Sequence, residues 1–155
     1  MAEIVVVAAR DVAAPPRDVH AVFADYRVAH PAILPKRAFL SLAVEHGGTG
    51  AGTIFVLRMR AFGATRAMRA EVSEPEPGRR LVETDLETGL RTTFDFEPLD
   101  GGARTRVTLR TVWTTPGLKG VFERLFAPGF LRKVYAEELA NLARVVEKPE
   151  PGASA

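Results

Sequence analysis

The 155 residues contain no cysteine, one tryptophan and two tyrosines. Without cysteine there is no disulfide framework, no thiolate nucleophile and no cysteine-based zinc site. The three histidines, His20, His30 and His46, lack metal-ligand spacing, so no metal is expected. No hydrophobic run is long enough for a membrane span. The amino terminus, MAEIVVVAARD, carries Glu3 and only a short apolar stretch before Arg10 and Asp11, unlike a signal peptide. A cytoplasmic location is the default expectation. Charge of one sign is also missing: 21 basic residues stand against 19 acidic ones, and nucleic-acid binding is not expected from a net charge of +2.

Nucleotide and hydrolase signatures are absent as well. "GGTGAGT" at 47–53 lacks both G-x-x-x-x-G-K-[ST] and G-x-G-x-x-G order and leads into a strand, so it reads as a hairpin turn. Ser41 and Ser73 have no G-x-S-x-G context. No cofactor is expected.

What the chain does have is ordinary globular composition, 46% hydrophobic and 26% charged, at a length suited to one domain. That domain is placed at residues 3–147. Residues 148–155, including PEPGASA, read as a disordered tail.

Hydrophobic periodicity orders the elements. Residues 3–13 read as a strand, and Val19, Val22, Phe23 and Tyr26 then fall at helical spacing after Pro15 and Pro16. A short helical piece follows near 28–34. Between about 38 and 115 the period becomes two, with turns at Gly47-Gly48, Gly63, Pro77-Gly78, Gly89 and Gly101-Gly102, which predicts six strands. Phe55, Leu57 and Met59 share one face, as do Met68, Ala70 and Val72; Thr92, Phe94 and Phe96; and Thr105, Val107, Leu109, Thr111 and Trp113. The opposite face alternates arginines with Glu71, Asp95 and Glu97, a solvated surface crossed by ion pairs. In "RRLVETDLE" Val82, Thr84 and Leu86 are placed inward, leaving Glu83 and Asp85 outside.

After Pro116 helical spacing returns, with Phe122 and Phe126 before the Pro128-Gly129 pair and Phe130, Leu131, Val134, Leu139, Leu142, Val145 and Val146 after it. Two helices are expected, a short one over 118–128 and a long one beyond. The break would serve either as a corner or as the hinge of a lid. A long terminal helix is the available cover for an antiparallel sheet with one apolar face.

The order β-α-α-β6-α, with "AAPPRDVHAVFADY", "HPAILP", "EHGGTGAGT", "PEPGRRLVETD" and "LKGVFERLFAPGFLRKVYAEELANLARVVE", resembles the helix-grip fold of START-type and birch-pollen-allergen-like proteins (the SRPBCC superfamily). The likeness is to the bacterial polyketide cyclase/dehydrase and lipid-transport-like branch. It implies an α+β fold, a seven-stranded antiparallel sheet curled around the carboxy-terminal helix, and a pocket between them. Residues placed to line that pocket are Tyr26, Ile33, Phe55, Leu57, Met59, Met68, Phe94, Phe96, Leu109, Thr111, Trp113, Phe122, Phe126, Phe130 and Tyr135. Binding or carriage of a small hydrophobic ligand, lipid-like or aromatic, is the leading expectation. The alternatives are a cyclase- or dehydratase-like enzyme using His30, at the pocket mouth, or Tyr135, and a cochaperone-like protein-interaction module.

Overall fold

The computed structural model describes residues 2–115 and 117–147, with the side chains of 3–115 and 127–147. The expected tail lies outside the described residues. The chain opens with strand β1 (Ala2–Val12), followed by helices α1 (Pro16–Ala24) and α2 (Ala29–Ile33). Six further strands follow: β2 (Phe39–His46), β3 (Ile54–Ala61), β4 (Ala64–Glu76), β5 (Arg80–Asp85), β6 (Arg91–Leu99) and β7 (Arg104–Thr115). A 3₁₀ turn joins the last two strands, and helix α3 (Gly117–Val146) closes the chain.

The strands form one antiparallel sheet in the order β1-β7-β6-β5-β4-β3-β2. From β2 to β7 every connection joins neighbouring strands, whereas β1 leads through α1 and α2 to β2 at the opposite edge, and β7 comes back to pair with β1. The expected turn glycines all take positive φ, which a side chain resists. One concave face is apolar and is covered by α3, giving the α+β helix-grip architecture. Val6, Phe55, Val72, Leu81, Phe94, Phe96, Val107 and Leu109 from the sheet meet Val134, Leu139 and Leu142 from the helix. The outward face carries the cross-strand pairs Arg69–Glu45, Arg80–Asp95 and Arg106–Asp11, as the alternation predicts.

Three expectations are corrected. First, the carboxy-terminal segment is one α-helix from Gly117 to Val146 with Pro128 inside it, not a short helix and a long one. A proline within a helix forfeits one backbone hydrogen bond, whereas the stripe beyond it, Val134, Leu139, Leu142 and Val146, holds the helix on the sheet. The hinged lid over 118–128 is withdrawn with it. Second, β5 faces the other way: Leu81, Glu83 and Asp85 are buried on the concave side, and Leu86 is exposed. A register shift between Ser73 and Glu76 in β4 accompanies this, and a one-residue slip inverts a strand. Third, Val145 lies on the exposed side of α3.

Candidate functional site

The corrected register of β5 brings a polar row onto the concave face. Glu83 pairs with Thr92, and Thr92 with Thr111, so three adjacent strands present a carboxylate and two hydroxyls at one level of an otherwise apolar surface. Helix α3 answers with Tyr135 and Glu138, three residues apart and therefore on one helix face. Tyr135 Oη lies 2.5 Å from Thr111 Oγ1, which lies 2.8 Å from Thr92 Oγ1. Burial pushes the Tyr135 phenol up to about 12, with the threonine hydrogen bonds opposing and the charges of Glu138 and Glu83 adding to the shift.

The segment between α1 and β2 supplies the remaining members. Asp25 accepts the backbone N–H groups of Arg27, Val28 and Ala29, fixing the turn from α1 into α2. The glycine-rich connection at 47–53 clamps this turn from outside. Tyr26 N–H donates to Gly48 O at 3.0 Å, and Gly50 N–H donates to Ala24 O at 2.9 Å. Gly48 sits at φ +139, and a side chain there would run into Arg27. The segment is the turn between β2 and β3, as expected; its docking on the α1–α2 turn, which was not expected, aims Tyr26 inward. Tyr26 stacks on Phe55 with ring centroids 5.0 Å apart, and its hydroxyl donates to Glu83 Oε1 at 2.8 Å. Burial raises Tyr26 well above its usual value, reinforced by the charge on Glu83.

His30, expected at a mouth, is buried at 3% exposure. Its ring is enclosed by Phe23, Tyr26 and Phe94 at centroid distances of 5.2, 4.9 and 5.7 Å. Nδ1 lies 2.9 Å from the Phe23 carbonyl, which can only accept, so Nδ1 carries a hydrogen. Nε2 lies 3.4 Å from Glu138 Oε1, within ion-pair range, although Oε1 has no hydrogen-bond partner of good geometry among the described residues. Burial works against a charged His30, but the Glu138 carboxylate and the charge on Glu83 outweigh it and raise its pKa. Burial likewise lifts Glu83 to about 7 despite the His30 charge and the Tyr26 hydrogen bond, with Glu138 adding to the rise.

The interior thus has two ends. At one, Phe23 packs on Phe94 and Phe96 at 5.1 and 5.6 Å, with His30, Tyr26, Phe55 and Ile33 also buried. At the other, Met59, Met68, Trp113, Phe130 and Leu131 pack on the core but stay partly exposed. The polar row with Tyr135 stands beside Trp113, since Thr111 and Trp113 share a face of β7. Leu57 and Leu109 are buried in the wall. Phe130 meets Phe62 at 5.3 Å and lies under Arg37 at 5.9 Å, at the rim of the β3–β4 hairpin. The side chains of Phe122 and Phe126 lie outside the described residues.

Sequence reasoning missed Glu83 and Glu138. Glu83 was hidden by the assumption that Val82, Thr84 and Leu86 point inward. Glu138 carried a signal, because it falls at helical spacing from Leu131, Val134 and Leu142, where a charge marks a buried polar contact. Thr105, also read as inward, donates to the Ala14 carbonyl at 2.7 Å. His20 pairs with Glu74 at 3.2 Å, and His46 is exposed. Among the described residues no group of three or more His, Asp or Glu could hold a metal ion, and no helix is long and apolar enough to cross a membrane.

Comparison with known proteins agrees with this architecture. No curated protein matches the chain. Among solved structures, the KanY protein is 31% identical, covers 96% of this chain and 100% of its own, and superimposes with a TM-score of 0.81. TTHA0849 from Thermus thermophilus is 23% identical over 92% of this chain and 96% of that one, with a TM-score of 0.75. The Zhui aromatase/cyclase from Streptomyces sp. R1128 is 19% identical over 99% of both chains, with a TM-score of 0.73, a likeness of fold. The family model described as polyketide cyclase / dehydrase and lipid transport matches residues 3–147, and with a helix-grip sheet closed by α3 the chain belongs to that family, within the START-type and birch-pollen-allergen-like superfamily.

Proposed function

We propose that the chain binds and carries a small, predominantly apolar ligand, lipid-like or aromatic, between the concave sheet and α3 at the Trp113 end. The observation that carries this reading is the division of the interior. One end is filled ring against ring, while Met59, Met68, Trp113, Phe130 and Leu131 at the other keep apolar surface that a ligand would cover. These side chains favour a ligand over the cochaperone-like alternative. Tyr135, Thr111 and Thr92 stand where a hydroxyl or carbonyl of the ligand would be met. With its pKa at about 12, Tyr135 stays protonated near neutrality and can donate. The expected site residues Tyr26, Ile33, Phe55, Phe94 and Phe96 then act as the wall behind the ligand.

The cyclase-like reading draws on the same tyrosine, since a phenol held by two threonines can donate to a developing enolate oxygen. His30 suits it less. Both ring nitrogens face protein groups, and the ring is buried among Phe23, Tyr26 and Phe94. Trp113 is the sole tryptophan, so its emission reports on this end alone. Titration with a hydroxyanthraquinone and with a long-chain fatty acid should give a saturable change for at least one, and Tyr135→Phe should weaken the hydroxylated ligand about fivefold, the worth of one hydrogen bond. No saturable change with either class sinks the reading. Loss of a hundredfold or more in a measured turnover on Tyr135→Phe would favour the enzyme.

A further inference from the structure

We propose that the tip of the β3–β4 hairpin docks on an anionic lipid bilayer, with Phe62 entering the headgroup layer and Arg60, Arg66 and Lys36 meeting lipid phosphates. Ala61 pairs with Ala64, which closes a two-residue loop of Phe62 and Gly63 with φ of 52 and 76. Positive φ at both positions suits the twist of a hairpin and is normally supplied by Asn-Gly or Asp-Gly. A bulky aromatic there is a true outlier. Phe62 packs one side of its ring on Phe130, yet 56% of its surface stays exposed at the tip of the hairpin. A strained backbone position given to an exposed aromatic points to a role in function.

The charges around the tip point to the partner. Arg60 and Arg66 flank it on the two strands, and Arg60 N–H donates to the carbonyl of Ala38 at 2.7 Å, which brings the Lys36 loop alongside. All three basic side chains are exposed, and among the described residues none has a carboxylate partner. Elsewhere on the sheet Arg69, Arg80 and Arg106 are paired, and beside the tip Arg37 is held by Glu137 at 2.7 Å. The apolar element is one projecting ring backed by Phe130 at 5.3 Å. That is far less than the roughly 800 Å² per partner of a stable protein interface. An aromatic ring ringed by uncompensated bases matches the amphipathic boundary of an anionic bilayer. Through Phe130 the tip adjoins the end proposed for the ligand, but docking does not depend on that proposal.

The test is co-sedimentation of the whole chain with vesicles of equal parts phosphatidylglycerol and phosphatidylcholine, against phosphatidylcholine alone. Binding is expected only to the anionic vesicles and should weaken with salt. It should fall about fivefold for each of Arg60→Ala, Arg66→Ala and Lys36→Ala, and be lost in Phe62→Ser combined with Arg60→Ala. Arg91→Glu and Arg110→Glu, on the convex face, should leave it unchanged. Circular dichroism confirms that each variant is folded. Equal loss in the convex-face variants, binding that survives the tip variants, or no binding to either vesicle overturns the proposal. So does a concentration-dependent dimer that dissociates on Phe62→Ser without vesicle binding, which would assign the tip to a second copy.

Discussion

Tyr26 donates its hydroxyl to Glu83 Oε1 at 2.8 Å inside the curled sheet, joining residues 57 positions apart. The bond ties the α1–α2 turn to the fifth strand and supplies a donor to a carboxylate that is 7% exposed. Tyr26→Phe keeps the ring stacked on Phe55 and removes only the donor. The expected loss is about 1–3 kcal/mol, the cost of leaving a buried acceptor unpaired. It should be larger at pH 8, where Glu83 is ionised, than at pH 6, where it holds a proton. Urea denaturation at both values checks this; equal losses would show that the bond does not favour the carboxylate.

Stability should itself depend on pH through Glu83. Burial, its first cause, raises the folded-state pKa from 4.5 to about 7, against the His30 charge and the Tyr26 bond. Between these values the native state binds more protons than the unfolded chain, so stability falls as pH rises through the window. His30, raised from 6.5, acts with the same sign. Glu83→Gln should flatten most of the decline, on the order of 1–3 kcal/mol between pH 5 and 8 after allowance for coupling among Tyr26, His30 and Glu138. A slope that survives in Glu83→Gln would transfer the effect to another group.

His30 and Glu138 form the second buried contact, and their loss should be asymmetric. His30→Ala leaves Glu138, 2% exposed, without its cation and should cost about 3–5 kcal/mol. Adding Glu138→Gln removes the stranded charge and should recover part of that loss. Denaturation of the single and paired variants measures the coupling. Additive losses would mean that the two side chains do not share a proton or a charge.

How much of this was legible in the sequence depends on what each residue type can signal. Period two placed Phe55, Phe94, Phe96, Leu109 and Trp113 on one face because a strand alternates strictly, and glycines marked the turns because positive φ demands them. Pro128 misled, since a local breaker was weighed without the long apolar stripe that overrides it. Glu83 misled more. Its inward placement depends on a shift in β4 and on a hydroxyl delivered from Tyr26, and neither is local to "RRLVETDLE". Tyr135 could be expected to seek a partner, but only the fold names Thr111.

The two ends of the interior should separate energetically. Phe94 is 3% exposed and touches the rings of Phe23 and His30 at 5.1 and 5.7 Å, so Phe94→Ala opens a hole that its neighbours cannot fill. The expected cost is about 3–5 kcal/mol with little change in ligand affinity beyond that owed to partial unfolding. Met68 is only partly buried at the other end, where fewer contacts are lost. Met68→Ala should cost less than about 2 kcal/mol, below the range for a buried methionine, yet alter the Trp113 emission change on ligand titration. Denaturation and fluorescence on the same two proteins decide the matter. A large stability loss at Met68 with no optical effect would mean that the Trp113 end is packed core as well, and would take the ligand site away from it.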